Sequence, residues 1–147
     1  MTTDECIGAS LRGQGLKVTP KRLAVARLML RAKGSLTPEQ VWRQLRPELG
    51  MLGLPTVYRI LDELARVGVL VRVEMEDNAL HYAACRARPG RHHHHLVCLS
   101  CGAVDVVEGC TFERQVSRVE ARTGFKVLGH RLQVEGLCAG CRKNGRR

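Results

Sequence analysis

In the first seventy positions the apolar residues recur at helical spacing. Thr19 and Pro20 stand as N-cap and first helical residue before the run LAVARLMLRA, and Gly34 follows as a stop. Thr37, Pro38 and Gln40 repeat that start with capping-box spacing, predicting a short helix through Leu45 that Pro47 ends. A third helix begins near Pro55, with Val57, Ile60, Leu61, Leu64 and Val67 as its apolar stripe and Gly68 closing it. Tyr58, Arg59, Asp62 and Arg66 fall on or beside its outer face. Beyond Gly68 the period changes to two: Val69, Val71 and Val73 alternate, Asp77 and Asn78 signal a turn, and Ala79 to Cys85 returns. Three helices followed by a β-hairpin predict a winged helix-turn-helix, whose third helix suits a DNA major groove.

A loop at Arg86 to Arg91, with Pro89 and Gly90, separates this half from a second one. There, His92 to Cys98 and Ala103 to Val107 read as strands. Phe112, Val116 and Val119 mark an amphipathic helix that Gly124 ends, and His130, Leu132 and Val134 alternate as a third strand leading to Cys138. The fold class is therefore α+β: a winged-helix domain over 1–85, a hinge over 86–91 and a small α/β domain over 92–147.

Two Phe, two Tyr and one Trp in 147 residues leave little to build a core from, so a metal clamp and a dimer interface are expected to add stability. No apolar run approaches a membrane span and nothing at the N-terminus resembles a secretory signal, which predicts a soluble, cytoplasmic protein. The net charge of +10 makes a polyanion the first partner to consider. Its distribution sharpens this: Arg12, Lys17, Lys21, Arg22, Arg27, Arg31 and Lys33 lie between Cys6 and Pro38 with no acidic residue among them, a plausible phosphate-facing surface. Arg142, Lys143, Arg146 and Arg147 add a basic tail.

The cysteines and histidines supply the chemistry. Cys98 and Cys101 form one CxxC pair, and Cys138 and Cys141 form another. A two-residue spacer lets both sulfurs of a pair turn toward one ion about 2.3 Å away, so two pairs furnish a closed tetrahedral zinc site. In a reducing compartment paired CxxC motifs bind metal more often than they form disulfides. The run His92 to His95 adjoins the first pair and is followed by Leu96 and Val97, which makes it strand rather than purification tag. On a strand, His92 and His94 project to one face while His93 and His95 project to the other, so one strand could serve two further metal sites.

These elements and motifs together resemble the Fur family of metal-responsive bacterial repressors, closest to its zinc uptake regulator branch. The resemblance rests on GLKVTPKR at 15–22, LPTVYRILDELARVGVL at 54–70, HHHHLVCLSCG at 92–102 and GLCAGC at 136–141. It implies a C-terminal dimerisation domain and a homodimer that binds palindromic operator DNA when its sensory metal is loaded. Carried over by position, Cys98, Cys101, Cys138 and Cys141 resemble the structural zinc site, and His93 and His95 resemble ligands of a sensory site between the domains. His92, His94, Glu113 and His130 resemble a third site found in some members. Lys17, Arg22, Thr56, Tyr58 and Arg59 lie in the motifs that resemble the DNA-binding surface, with Tyr58 and Arg59 as recognition-helix contacts and Lys17 as a minor-groove or phosphate contact.

Departures from the iron-sensing pattern bear on the metal. Ser35 and Val106 stand where iron and peroxide sensors of the family carry a histidine and an acidic residue, and Cys85 aligns with a cysteine of zinc uptake regulators. A thiolate with two imidazoles favours tetrahedral zinc, whereas oxygen-rich octahedral shells suit iron or manganese. Glu74, eleven positions before Cys85, is the expected fourth sensory ligand, with Asp105 and Glu76 as rivals. Cys6 and Cys110 find no partner in the sequence and read as incidental thiols. The functional expectation is a zinc-responsive repressor, not an enzyme, with two or three zinc ions per subunit. An iron-responsive regulator of the same family is the alternative, and a zinc-dependent hydrolase is a remote one, since no HExxH motif is present. A zinc-ribbon interaction module without sensing would leave His92 to His95 unexplained.

Overall fold

The computed structural model describes residues 3–87 and 90–145. Pro89 of the expected hinge, and Arg146 and Arg147 of the basic tail, lie outside the described residues. The chain opens with a helix the apolar pattern did not reveal, α1 (Thr3–Gly13), so four helices rather than three precede the hairpin. Its signals were short: Ile7 and Leu11, one turn apart, are both buried, and Asp4 and Glu5 sit in the first turn where the helix dipole favours negative charge. In α2 (Pro20–Arg31), the Thr19 side chain caps the start by accepting from the Arg22 backbone N–H. In α3 (Pro38–Leu49) the capping box forms from both sides, Thr37 N–H to Gln40 Oε1 at 2.8 Å and Gln40 N–H to Thr37 Oγ1 at 3.2 Å.

Pro47 lies inside α3 instead of ending it. Its ring removes one backbone bond in the last turn, while Leu45 is buried and Leu49 packs on the core, so burial carries the helix past it. The next helix, α4 (Leu54–Arg66), buries Val57, Ile60, Leu61 and Leu64. These meet Leu11, Val25, Met29 and Val41 in one core, each fully buried side chain contributing roughly 1.5–3 kcal/mol.

The wing follows as β1 (Leu70–Val73) and β2 (His81–Ala84), paired antiparallel from Leu70↔Ala84 to Val73↔His81. Asn78 takes the left-handed conformation at φ 55 in the connecting turn, which asparagine tolerates better than most residues. Tyr82 ties this hairpin to α4: its buried hydroxyl donates to Asp62, which also accepts from Arg72 at 2.6 Å. Burial first, and then the Asp62 carboxylate, push the Tyr82 phenol up to about 12, so it remains a neutral donor.

The second half runs β3 (His93–Cys98), β4 (Val104–Glu108), α5 (Glu113–Thr123), β5 (Gln133–Gly136) and α6 (Ala139–Lys143). Its sheet has the order β4-β3-β5, antiparallel from His93↔Glu108 to Val97↔Val104 and parallel from His95↔Gln133 to Cys98↔Gly136. The third strand is shorter than the alternation suggested, because only 133–136 find partners along β3; His130 and Leu132 lie in the segment before it. None of the side chains of α5 is buried.

The two halves touch at several places. Val73, Ala83 and Val97 form a small apolar cluster between wing and sheet. Gln133 clasps the Glu74 backbone, accepting from its N–H at 3.1 Å and donating to its carbonyl at 2.9 Å. The turn after α2 meets the CxxCG turn: Ser35 N–H donates to the Gly102 carbonyl at 2.7 Å. That approach explains both glycines, since a Cβ on Gly34 would lie 2.3 Å from the Cys101 carbonyl oxygen and one on Gly102, at φ +70, would lie 2.6 Å from Ser35 Oγ.

Candidate metal centres and nucleic-acid face

The end of β3 and the start of α6 bring Cys98, Cys101, Cys138 and Cys141 together, with all four sulfurs within 4.8 Å of one another. All four are free thiols, and the Cys101 and Cys138 sulfurs are 3.8 Å apart. A disulfide would need about 2.05 Å. Four sulfurs each about 2.3 Å from one ion at tetrahedral angles are separated by about 3.8 Å, so the donors are spaced for zinc. Burial opposes ionisation of Cys98, but the backbone N–H groups of Cys138, Cys101 and Ser100 outweigh it and hold that thiol down at about 6. Cys101 is drawn down by the Ala103 N–H, yet burial and the thiols of Cys98, Cys141 and Cys138 prevail and push it up to about 12. Without a cation one sulfur ionises readily and the next resists; a divalent ion removes that conflict.

On one face of β3, His93 and His95 meet Cys85, which follows β2. The Cys85 sulfur is 3.4 Å from His93 Nε2 and 3.6 Å from His95 Nε2, against about 3.5 Å for nitrogen and sulfur bound to one tetrahedral zinc. His93 Nδ1 sits 2.8 Å from the Arg91 carbonyl, which fixes the proton on Nδ1 and leaves the Nε2 lone pair for a metal. Burial first, then the neighbouring imidazoles His93 and His94, lower the pKa of His95 and keep it a neutral ligand. The Glu74 carboxylate is not part of this cluster: Glu74 lines the same cleft, but its side chain is exposed and Gln133 holds only its backbone. Asp105 pairs with Leu96 and therefore projects to the sheet face opposite His93 and His95, while its carboxylate accepts from the Val106 N–H. Glu76 is exposed in the turn of the wing and also stays outside the cluster.

On the other face, His92, His94 and His130 converge with Cys110 rather than with Glu113. Glu113 is the exposed first residue of α5, whereas Cys110 lies in the link between β4 and α5 and turns its sulfur toward the histidines. Cys110, read from sequence as an incidental thiol, is the site residue sequence reasoning missed. It falls two residues after Glu108, and the strand register, which pairs Glu108 with His93, is what brings it to the histidines. Cys6 is exposed on α1 and belongs to no metal cluster among the described residues.

The helix proposed for DNA reading, α4, presents Arg59 exposed and Tyr58 half-buried, with the Tyr58 hydroxyl donating to Glu39 of α3 at 2.5 Å. Thr56 is half-buried in the first turn of α4, and Lys17 is exposed between α1 and α2. Arg22 is placed differently. It donates through Nε and Nη2 to Glu63 of α4 at 2.9 and 2.6 Å, and through Nη1 to the Lys17 carbonyl at 2.8 Å. These bonds make it a brace between α2 and α4. Arg22→Met should therefore lower stability to urea by about 1–3 kcal/mol while leaving the salt dependence of DNA binding near wild type. Lys17→Ala should do the reverse, reducing the salt slope by about one. A stable Arg22→Met protein with a reduced salt slope would return Arg22 to the DNA contacts.

The profile of the ferric uptake regulator family matches residues 13–135. Ferric uptake regulation proteins of Neisseria meningitidis and Bacillus subtilis are 32% and 33% identical to the chain; the first alignment covers 95% of both chains, the second 92% of this chain and 91% of the relative. Among solved structures, a zinc uptake regulator complexed with zinc and DNA superposes with a TM-score of 0.80 at 28% identity, covering 99% of each chain. The holo form of XcZur superposes at 0.74 with 27% identity, covering 95% of this chain and 96% of that one. The ferric uptake regulator of Francisella tularensis with iron superposes at 0.59 with 27% identity, covering 87% and 96%. Since the match runs through both halves, from the end of α1 almost to the end of β5, the chain belongs to the ferric uptake regulator family of transcriptional regulators.

Proposed function

We propose that the protein is a zinc-responsive repressor that binds palindromic operator DNA as a metal-loaded homodimer. The observation that carries this reading is the cluster of Cys85 with His93 and His95, one thiolate and two imidazoles spaced for a tetrahedral ion. The better superposition on zinc uptake regulators than on the iron-bound relative supports it. So does Ser35, which stands at the position of an iron-sensor histidine and is engaged instead with Gly102 and with His81 Nδ1 at 3.3 Å. Family membership removes the hydrolase alternative. The iron-responsive reading of the same family is the one to test.

In this reading Cys85, at the end of the wing, and His93 and His95, on the sheet, lie on opposite sides of the hinge over 86–91, and zinc bridges the domains. Glu74, on the wall of the same cleft, is the proposed fourth donor. The ion favours the DNA-competent arrangement only by its differential affinity for it. The four-cysteine site holds a structural zinc. Tyr58, Arg59 and Thr56 of α4 read the groove and Lys17 holds phosphate. The homodimer is supported by Leu96, Val107 and Val134, large apolar residues left exposed on one face of the sheet, with Leu132 exposed just before β5. No helix among the described residues is long and apolar enough to cross a membrane.

The test is operator binding of the wild-type protein titrated with zinc and, anaerobically, with ferrous iron. Zinc should raise operator affinity at the lower free concentration. A response to ferrous iron below the zinc threshold would replace the zinc reading with the iron one.

A further inference from the structure

We propose that Cys110 is the fourth ligand of a distinct three-imidazole, one-thiolate zinc site, in which Glu113 takes no part. The two carboxyl and thiol candidates lie only three residues apart in sequence, yet the structure separates them. His92 Nε2 is 3.2 Å from His94 Nε2 and 3.0 Å from His130 Nε2, and the Cys110 sulfur is 3.2 Å from His94 Nε2 and 3.0 Å from His130 Nε2. Four donor atoms therefore face one point.

That convergence is poor hydrogen bonding. A neutral imidazole carries one N–H and one lone pair, so three Nε2 atoms and a thiol aimed at each other must set some lone pairs or protons face to face. His94 sharpens the problem: it is 4% exposed, and its Nε2 is crowded by His92 Nε2 and the Cys110 sulfur. With the proton on Nδ1, Nε2 offers only a lone pair, and a cation is the partner that can receive it together with those of His92, His130 and the Cys110 sulfur. Tetrahedral zinc spaces its nitrogen and sulfur donors about 3.3–3.5 Å apart, close to the separations here. The thiolate decides the class of metal. A carboxylate in this position would admit a harder ion; sulfur with three imidazoles favours zinc or cobalt over ferrous iron.

The site would also fasten what the core does not. It joins His94 of β3 and His92 just before it to the link before α5, a helix with no buried residue, and to the segment before β5, where Leu128 is 91% exposed. The inference does not depend on the sensory role of Cys85, His93 and His95, which occupy the opposite face of β3, and the experiment keeps the two apart.

The Cys85→Ser protein, reduced and with its four-cysteine site filled with zinc, would be titrated with cobalt(II) and followed by absorption. Cys85 can then contribute no thiolate. A thiolate-to-cobalt charge-transfer band with tetrahedral d–d absorption is expected, and it should vanish in Cys85→Ser/Cys110→Ser. In the same background Glu113→Gln should keep the band and bind cobalt within about twofold of its parent, while Cys110→Ser should weaken zinc at this site by at least about tenfold. Circular dichroism and retention of the four-cysteine zinc establish that each variant is folded; should Cys110→Ser not fold, Cys85→Ser/Cys110→Ala provides the same readout. Absence of the band in Cys85→Ser, its survival in Cys110→Ser, or its loss in Glu113→Gln would each overturn the assignment.

Discussion

Cys98→Ser is expected to lose one zinc per chain and, with it, the folded C-terminal half and the dimer. The packing explains why the effect should be large. The main core lies among α1 to α4 and the wing, whereas among the described residues beyond 91 the buried hydrophobic side chains are Val97, Cys98 and Cys141. No residue of α5 is fully buried, and Phe125 and Leu128 are exposed. The apparent binding energy of a structural zinc at neutral pH is about 10–16 kcal/mol, larger than anything this thin layer of contacts can supply. Serine leaves a hydroxyl that does not ionise near neutral pH, and it removes the sulfur that accepts from the Cys138 N–H at 3.3 Å and so registers α6 against β3. The damage should reach the DNA-binding half as well, because the turn carrying Cys101 and Gly102 rests on Gly34 and Ser35. Zinc analysis and sedimentation would read both consequences. A stable dimer with a full zinc complement would remove these cysteines from the structural role.

How much of this was legible in the residues depended on whether a signal was local. Thr19, Thr37 and Gln40 announced two helix starts, because a cap is a contact between residues three apart, and both caps form. Pro47 misled, since a proline's local penalty says nothing about the burial of Leu45 that carries α3 past it. α1 was obscured by the shortness of its apolar signal, although Ile7 and Leu11 already stood one turn apart. Strand alternation correctly divided the four histidines between two faces, a property of any strand. It could not choose between Cys110 and Glu113, or detect that Glu74 is held by Gln133 fifty-nine positions away, because both are settled by how distant segments meet. Arg22 shows the same limit: its charge is visible in the sequence, but its engagement with Glu63 is a matter of how α2 packs on α4.

Cys85→Ser should raise the free zinc needed for operator binding by at least about 10–100-fold while leaving the four-cysteine zinc in place. The separation follows from position. Cys85 sits where the wing ends, and its sulfur reaches His93 and His95 but none of the four clustered cysteines. Serine nearly preserves the side chain's size, so the cluster of Val73, Ala83 and Val97 beside it should be undisturbed. On the proposed reading, what disappears is the thiolate through which a metal connects the wing to the sheet. An ion that acts by binding one arrangement of the domains better than another would lose coupling as well as affinity with a ligand that reaches it only in that arrangement. His93→Ala should behave in the same way, and His92→Ala, on the opposite face of β3, should shift the zinc response less. The measurement is operator affinity against buffered free zinc for wild type and the three variants, and anaerobically against ferrous iron for wild type and Cys85→Ser, with dimerisation followed in parallel. A Cys85→Ser curve that overlays wild type, with ferrous iron still active on both, would move sensing away from this thiolate and restore the iron-responsive reading.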